Sequence, residues 1–287
     1  MKTLLVATDF SANAKHAAEY GYSLAAQLKK NLILCNAFSV PAEVPDAGFV
    51  SWTASEYDEL NKDSEEELKE LKDSLIKNDH SFSFKPTISV VNELGSVTDV
   101  LNTLVEKGNI EMTVMATHGN GRLGTFLLGN HSRKMIDAAK GLLMLVPVVA
   151  AITPIKKIAF ATGFTEREKD LQIIKELIEV IRPLNAELLV SHIIDKKWPG
   201  EKLRGSLEQF LEEISKKVDY PHIHYRIVRS EKPEKGLNWL CHHGQVDVLA
   251  MVHRGHGFFN EIINGSHTKK MADLISIPLL VIPENLK

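Results

Sequence analysis

Short apolar runs alternate along the chain with longer amphipathic stretches. Thr3–Ala7, Leu32–Ala37, Thr87–Val91, Met112–Thr117 and Leu142–Val146 are runs of the first kind and predict buried strands. Between them apolar residues recur at helical spacing. Ala14, Ala17, Ala18, Tyr20, Gly21, Leu24, Ala25 and Leu28 form one stripe, with Ser11 placed to cap it. Glu56–Ile76 is acidic, with Leu60, Leu68, Leu71 and Leu75 near one face, and its charges read as a solvated surface. Ser96–Glu106 carries Val100, Leu101 and Leu104 behind a capping Ser96, and a further helix is expected from about Asn130. The pattern then starts again. Strands are expected at 155–161, 186–194, 223–228, 246–252 and 278–282, and helices at 166–182, 201–217, 233–242 and 266–275. Near-continuous apolar strands alternating with helices argue for an α/β fold with a parallel sheet covered on both faces. Right-handed crossovers then make each half a doubly wound sandwich.

The restart is also a repeat of sequence. Gly129–Asp137 (GNHSRKMID) and Gly265–Asp273 (GSHTKKMAD) share five of nine residues. Val114–Gly121 (VMATHGNG) pairs with Ala250–Gly257 (AMVHRGHG) at the same separation, and LLMLVP at 142–147 pairs with PLLVIP at 278–283. Leu4–Phe10 (LLVATDF) likewise resembles Ile158–Phe164 (IAFATGF). A period this long marks a duplicated domain rather than a solenoid. The two copies are expected over 1–150 and 151–287, joined near Ala150–Pro154.

Composition narrows the class. With 44% hydrophobic and 25% charged residues, the 287-residue chain is an ordinary globular protein, neither disordered nor collagen-like. Its longest apolar run, Gly141–Ala151, holds Pro147 and falls short of the roughly 20 residues of a membrane helix. The start, MKTLLVATDF, is broken by Asp9 and reads as a strand rather than a leader. Two cysteines, Cys35 and Cys241, read as reduced thiols of a cytoplasmic protein. The net charge is −3, with an acidic excess in the first copy and a slight basic excess in the second. Neither copy has the charge of a general nucleic-acid binder.

In open α/β sheets ligands bind beyond the carboxyl ends of the strands, where strand order reverses. In the first copy those ends are Ala7-Thr8-Asp9 and Ala116-Thr117-His118-Gly119. Gly119 allows a sharp turn and close approach to a ligand. Gly129 and Asn130 start a helix, whose free N–H groups suit a phosphate, and Ser132 adds a hydroxyl in the first turn.

This arrangement resembles the universal stress protein family, in its tandem form with two domains in one chain. The likeness extends over essentially the whole sequence. Nucleotide-binding members of that family carry G-x2-G-x9-G-[ST] after strand 4 and an Asp just after strand 1. The resemblance implies ATP or another adenine nucleotide, with Mg accompanying it, the Asp near the adenosine part and the Gly-rich loop holding the phosphates. In the first copy Asp9, Gly119 and Gly129 match, whereas Ala116 stands for the first Gly and Asn130 for the Ser or Thr, with Ser132 nearby. In the second copy Gly255, Gly265 and Ser266 match and Thr268 parallels Ser132, but Gly163 stands for the Asp and Val252 for the first Gly. The first copy therefore keeps the better site. Asn is as good a helix cap as Ser, so Asn130 preserves the anion-facing helix start. The alternative is a nucleotide-free interaction scaffold that retains only the fold. The resemblance also implies pairing of the copies within the chain through LLMLVP and PLLVIP, and it is compatible with a homodimer of chains.

The remaining candidates carry less. His131 and His267 recur in both copies, which points to packing or capping, with a phosphate contact as the other reading. Cys241-His242-His243 are consecutive on a helix end and do not face one point, and His222 and His224 lack a defined ligand partner, so no metal site is expected. No Gly-x-Ser-x-Gly elbow or P-loop is present, and no base with a metal is evident for fast phosphoryl transfer. At most slow ATP hydrolysis is expected. Ser39–Ser55, with Phe49 and Trp52, either covers a ligand or partner or anchors a satellite core.

Overall fold

The computed structural model describes residues 2–38, 54–79, 84–117, 130–163, 166–194, 205, 209–210, 212–214, 216–254 and 276–284. They fall into two compact units. The first holds the described residues up to Val148, and the second those from Val149 to Glu284.

In the first unit β1 (Thr3–Ala7), β2 (Asn31–Phe38), β3 (Ile88–Leu94), β4 (Ile110–Ala116) and β5 (Leu142–Val146) lie in the order β3-β2-β1-β4-β5, all parallel. Four helices connect them: α1 (Ala12–Leu28), α2 (Ala54–Lys77), α3 (Val97–Glu106) and α4 (Asn130–Ala138). Helix α1 packs with α2, and α3 packs with α4, each pair against strands of the sheet. The central strands read apolar throughout because both faces are covered: Leu4, Leu5, Val6, Val114, Leu143 and Leu145 have no exposed surface. The alanine stripe of α1 faces this sheet, and Gly21 brings it close. A β-carbon there would come within 2.7 Å of Val6 Cγ2.

The second unit repeats the order. Strands β6 (Lys157–Ala161), β7 (Glu187–Ile194), β8 (Ile223–Arg229), β9 (Val248–His253) and β10 (Leu279–Pro283) lie as β8-β7-β6-β9-β10, again parallel. Helices α5 (Arg167–Ile181) and α6 (Pro233–His243) are its complete described helices. The described residues between 205 and 217 are also helical, with Phe210 and Ile214 buried.

Most expected boundaries agree within a residue or two. Strand β3 continues past Val91 because its main-chain pairing with β2 runs on to Phe38↔Leu94. Leu68, Leu71 and Leu75 of α2 are buried, but Leu60 is 40% exposed. The loop at 39–53, the Gly-rich segment 118–129 and the helix expected at 266–275 lie outside the described residues. Cys35 and Cys241 are free and buried. No helix among the described residues is long and apolar enough to cross a membrane.

Candidate functional site

Strand order in the first unit reverses between β1 and β4: the chain leaves β1 for β2 on one side and returns through β3 to β4 on the other. Beyond the carboxyl ends of these strands lies a cavity of about 690 Å³. Its small apolar wall is made by Ala7, Cys35, Ala37, Leu101, Met115 and Ala116. Its polar rim includes Thr8, Asp9, Ser11, Ser96, His131 and Ser132.

Three helices begin at this cavity, and each start has a local cause. Ser11 caps α1 by accepting from the Ala14 amide at 3.2 Å, and Ser96 caps α3 by accepting from the Asp99 amide at 3.2 Å. Helix α4 opens at Asn130, where the sequence placed it. The positive ends of three helix dipoles thus converge on one space, which favours an anion there.

The turn after β1 is unusual. Phe10, a bulky residue, has φ 62°, in the left-handed region. The Thr8 hydroxyl oxygen holds this turn by accepting from the Phe10 amide at 3.0 Å. Asp9 stays exposed. Its Oδ1 accepts from the Ser11 amide at 3.1 Å and from the Ser11 hydroxyl at 2.6 Å, so the carboxylate is oriented at the rim. Such strained turns gather at functional sites.

The other expected residues divide clearly. Ala7, Thr8, Asp9, Ala116, His131 and Ser132 all line the cavity. Ser132 is 3% exposed, and its hydroxyl donates to the Ala116 carbonyl at 3.1 Å, tying α4 to the end of β4. Its proton is therefore spent on the backbone. Asn130 begins α4 but does not line the cavity. His118, Gly119, Gly129, Gly255, Gly265, Ser266 and Thr268 lie outside the described residues. Cys35, Ala37, Ser96 and Leu101 were not foreseen, because β2 and α3 reach the cavity only through the sheet order. Burial, with a smaller contribution from the Glu93 charge, pushes the Cys35 thiol up to about 12, so it is an inert wall rather than a nucleophile.

The corresponding strand ends of the second unit differ among the described residues. Strand register makes Ala161 and Ser191 the counterparts of Ala7 and Cys35, and Ile193 the counterpart of Ala37. Ala161, Thr162, Gly163, Ser191 and Ile193 line a cavity of only about 20 Å³. Two features set these strand ends apart from those of the first unit. A branched Ile193 replaces the methyl group of Ala37. And Arg254, directly after β9, donates to Asp170 Oδ1 at 2.6 Å, while its Nε lies 3.6 Å from Glu166. Thr162 donates to the other Asp170 oxygen at 2.9 Å, and the Thr162 carbonyl accepts from His192 Nδ1 at 2.9 Å. An internal ion pair spans the ends of β6 and β9.

Near the end of α6 Cys241 is buried, His243 stacks on Trp239, and no group of three potential ligands occurs among the described residues.

The model of the universal stress protein family matches residues 1–147. No curated protein matches the chain. Among solved structures, a universal stress protein from Archaeoglobus fulgidus DSM 4304 superposes with a TM-score of 0.67 at 17% identity, over 98% of this chain and 96% of that one. A functionally unknown protein from Pseudomonas aeruginosa PAO1 gives 0.54 at 12% identity, over 99% and 92%. The cytoplasmic domain of a prokaryotic cation chloride cotransporter gives 0.55 at 10% identity, over 99% and 96%. These structural likenesses are of fold. The match of the family's own model over residues 1–147, on a unit with a doubly wound parallel sheet, is of sequence. The chain belongs to the universal stress protein family.

Proposed function

We propose that the first unit binds an adenine nucleotide, ATP foremost, at the ends of β1 and β4, and that the second unit does not. Bound nucleotide then biases a regulatory protein of the stress response. The observation that carries this reading is the contrast at corresponding strand ends: about 690 Å³ in the first unit and about 20 Å³ in the second. The larger volume lies within the roughly 300–1,000 Å³ of small-molecule pockets. The flat alanine, cysteine and leucine wall suits a planar base. The Asp9 carboxylate suits hydroxyl or amino donors of a nucleoside, and the converging helix starts suit phosphates. Mg would enter on the phosphates, since no group of three potential metal ligands occurs among the described residues, although Asp9 and Asp137 both line the cavity.

The role we infer is binding, with slow hydrolysis at most, because the sequence carries no P-loop. A scaffold role is favoured for the second unit by Gly163, which stands where the first unit has Asp9, and by Ile193, which stands where it has Ala37.

Isothermal titration with ATP tests this. One site per chain is expected, lost in Asp9→Ala combined with Ala37→Ile and kept in Arg254→Ala. No heat with ATP, ADP or AMP, together with no nucleotide released from gently purified protein, overturns it.

A further inference from the structure

Strand β8 is the edge of the second unit's sheet and pairs with β7 alone among the described residues. Its other main-chain row can therefore accept a further strand. Beside it Arg226, Arg229, Ser230, Lys235 and Trp239 help to line a cavity of about 560 Å³. Ile227 and Trp239 are 47% and 45% exposed. Gly236 sets the depth of this cleft, because a β-carbon there would come within 2.6 Å of Ile193 Cγ2, so α6 lies tight on β7.

The charges are organised. The Arg226 guanidinium lies 5.9 Å from the Trp239 ring centre, and His243 stacks on the same indole at 5.4 Å. A cation–π contact orients a guanidinium while leaving its N–H edge to fork onto a carboxylate. None of Arg226, Arg229 and Lys235 forms an ion pair with another described residue. The matching edge strand of the first unit, β3, reads ISVVNEL, and its one charge is Glu93.

We propose that β8 is a docking strand for an extended acidic segment of a partner protein. The segment adds to the sheet edge and sets its carboxylates against Arg226, Arg229 and Lys235. Strand addition gives affinity through main-chain hydrogen bonds and specificity through alternate side chains. A nucleic acid fits less well, because His243 and Arg226 already cover indole surface that a stacking base would use.

The test uses the full chain and a blocked peptide of alternating Glu and Val, with its Gln/Val counterpart as control. The Glu peptide is expected to bind and to slow amide hydrogen exchange across Ile223–Arg229. The Gln peptide and the charge-reversed chain, Arg226→Glu with Arg229→Glu, are each expected to lose about tenfold or more, because charge-assisted bonds are the strong ones. If that variant fails to fold, Arg226→Gln with Arg229→Gln is measured instead, with the same loss expected. A Glu peptide methylated on alternate main-chain nitrogens keeps its charge but cannot pair, and is expected not to bind. The proposal is overturned if the Glu peptide does not bind, if the Gln peptide binds as well, if exchange across β8 is unchanged, or if a single-stranded oligonucleotide binds more tightly than the Glu peptide.

Discussion

Arg254 donates to Asp170 across 2.6 Å, joining the residue after β9 to the first turn of α5. The Asp170 side chain has no exposed surface, and that of Arg254 is 13% exposed. Two buried charges of opposite sign stabilise the fold only while both are present. Removing one leaves the other buried and uncompensated, at roughly 3–5 kcal/mol. Arg254→Ala is therefore expected to destabilise the second unit by about 3 kcal/mol. The double change Arg254→Met with Asp170→Leu is expected to lose much less, since no orphaned charge remains. Urea unfolding followed by hydrogen exchange of second-unit amides measures both. Equal losses would refute this account of the pair.

Asp9 and Ser132 both border the cavity but do different work. Asp9 is exposed and, among the described residues, bonded to Ser11 two residues on. Ser132 is buried and bonded to the Ala116 carbonyl. Asp9→Ala should cut nucleotide affinity at least about tenfold, the worth of one charge-assisted hydrogen bond, with little change in unfolding midpoint. Ser132→Ala should lower stability by about 1 kcal/mol through loss of its part-buried hydrogen bond to the Ala116 carbonyl, with a smaller change in affinity. Titration and thermal melting on the same samples separate the two.

His192 gives the second unit a pH response. Burial holds its imidazole below the usual 6.5, against the hydrogen bond to the Thr162 carbonyl and the nearby Asp170 charge, which act the other way. The unfolded chain therefore takes up the proton first as pH falls. Stability is complete above pH 6.5, falls as pH drops through the window between 6.5 and the folded value, and then levels off. His192→Gln keeps an N–H donor for Thr162 and should remove this slope. Denaturant unfolding at a series of pH values would show it, and an unchanged slope would place the response elsewhere.

The fold was legible because burial on both faces writes itself into sequence as plain apolar runs. Thr3–Ala7 and Leu142–Val146 are strands with the expected ends, and Ser11 and Ser96 cap their helices as expected. The rim of the site was legible too, since Ala7, Thr8 and Asp9 end a strand recognisable alone. Its wall was not. Cys35, Ala37 and Leu101 come together only through strand order and register, which no local pattern states. The Arg254–Asp170 pair of the second unit left one faint signal. Asp170 sits in the apolar stripe of α5, one helical turn before Ile173 and Ile174, where an acid needs a buried partner. Nothing near it in sequence named Arg254.

Gly21 is fixed by packing rather than by conformation. In an open helix, Gly→Ala gains up to about 1 kcal/mol of propensity. Here the new methyl would meet Val6 Cγ2 at 2.7 Å, on a strand with no free surface to yield. Overpacking of this kind loses about 1–3 kcal/mol, so Gly21→Ala is expected to be net destabilising. Gly21→Ala with Val6→Ala relieves the clash and should recover part of the loss, measured as a non-additive double-mutant cycle.

Ala37→Ile is the sharpest change for the site, because the protein has already made it in its other half. Ile193 holds that strand position on β7, and the cavity there is about 20 Å³. Ala37 is only half-buried and points into the first unit's cavity, so a larger side chain has room to stand. The substitution should therefore leave stability within about 0.5 kcal/mol, as for surface changes that neither clash nor orphan a polar group. It should nevertheless abolish nucleotide binding by filling the wall where a base would lie. The reciprocal change, Ile193→Ala with Arg254→Ala, opens space in the second unit but supplies no carboxylate at Gly163. It should gain no nucleotide site until Gly163→Asp is added. Titration of all three variants with ATP decides it: unaltered affinity in Ala37→Ile would mean that the ligand lies elsewhere on the rim.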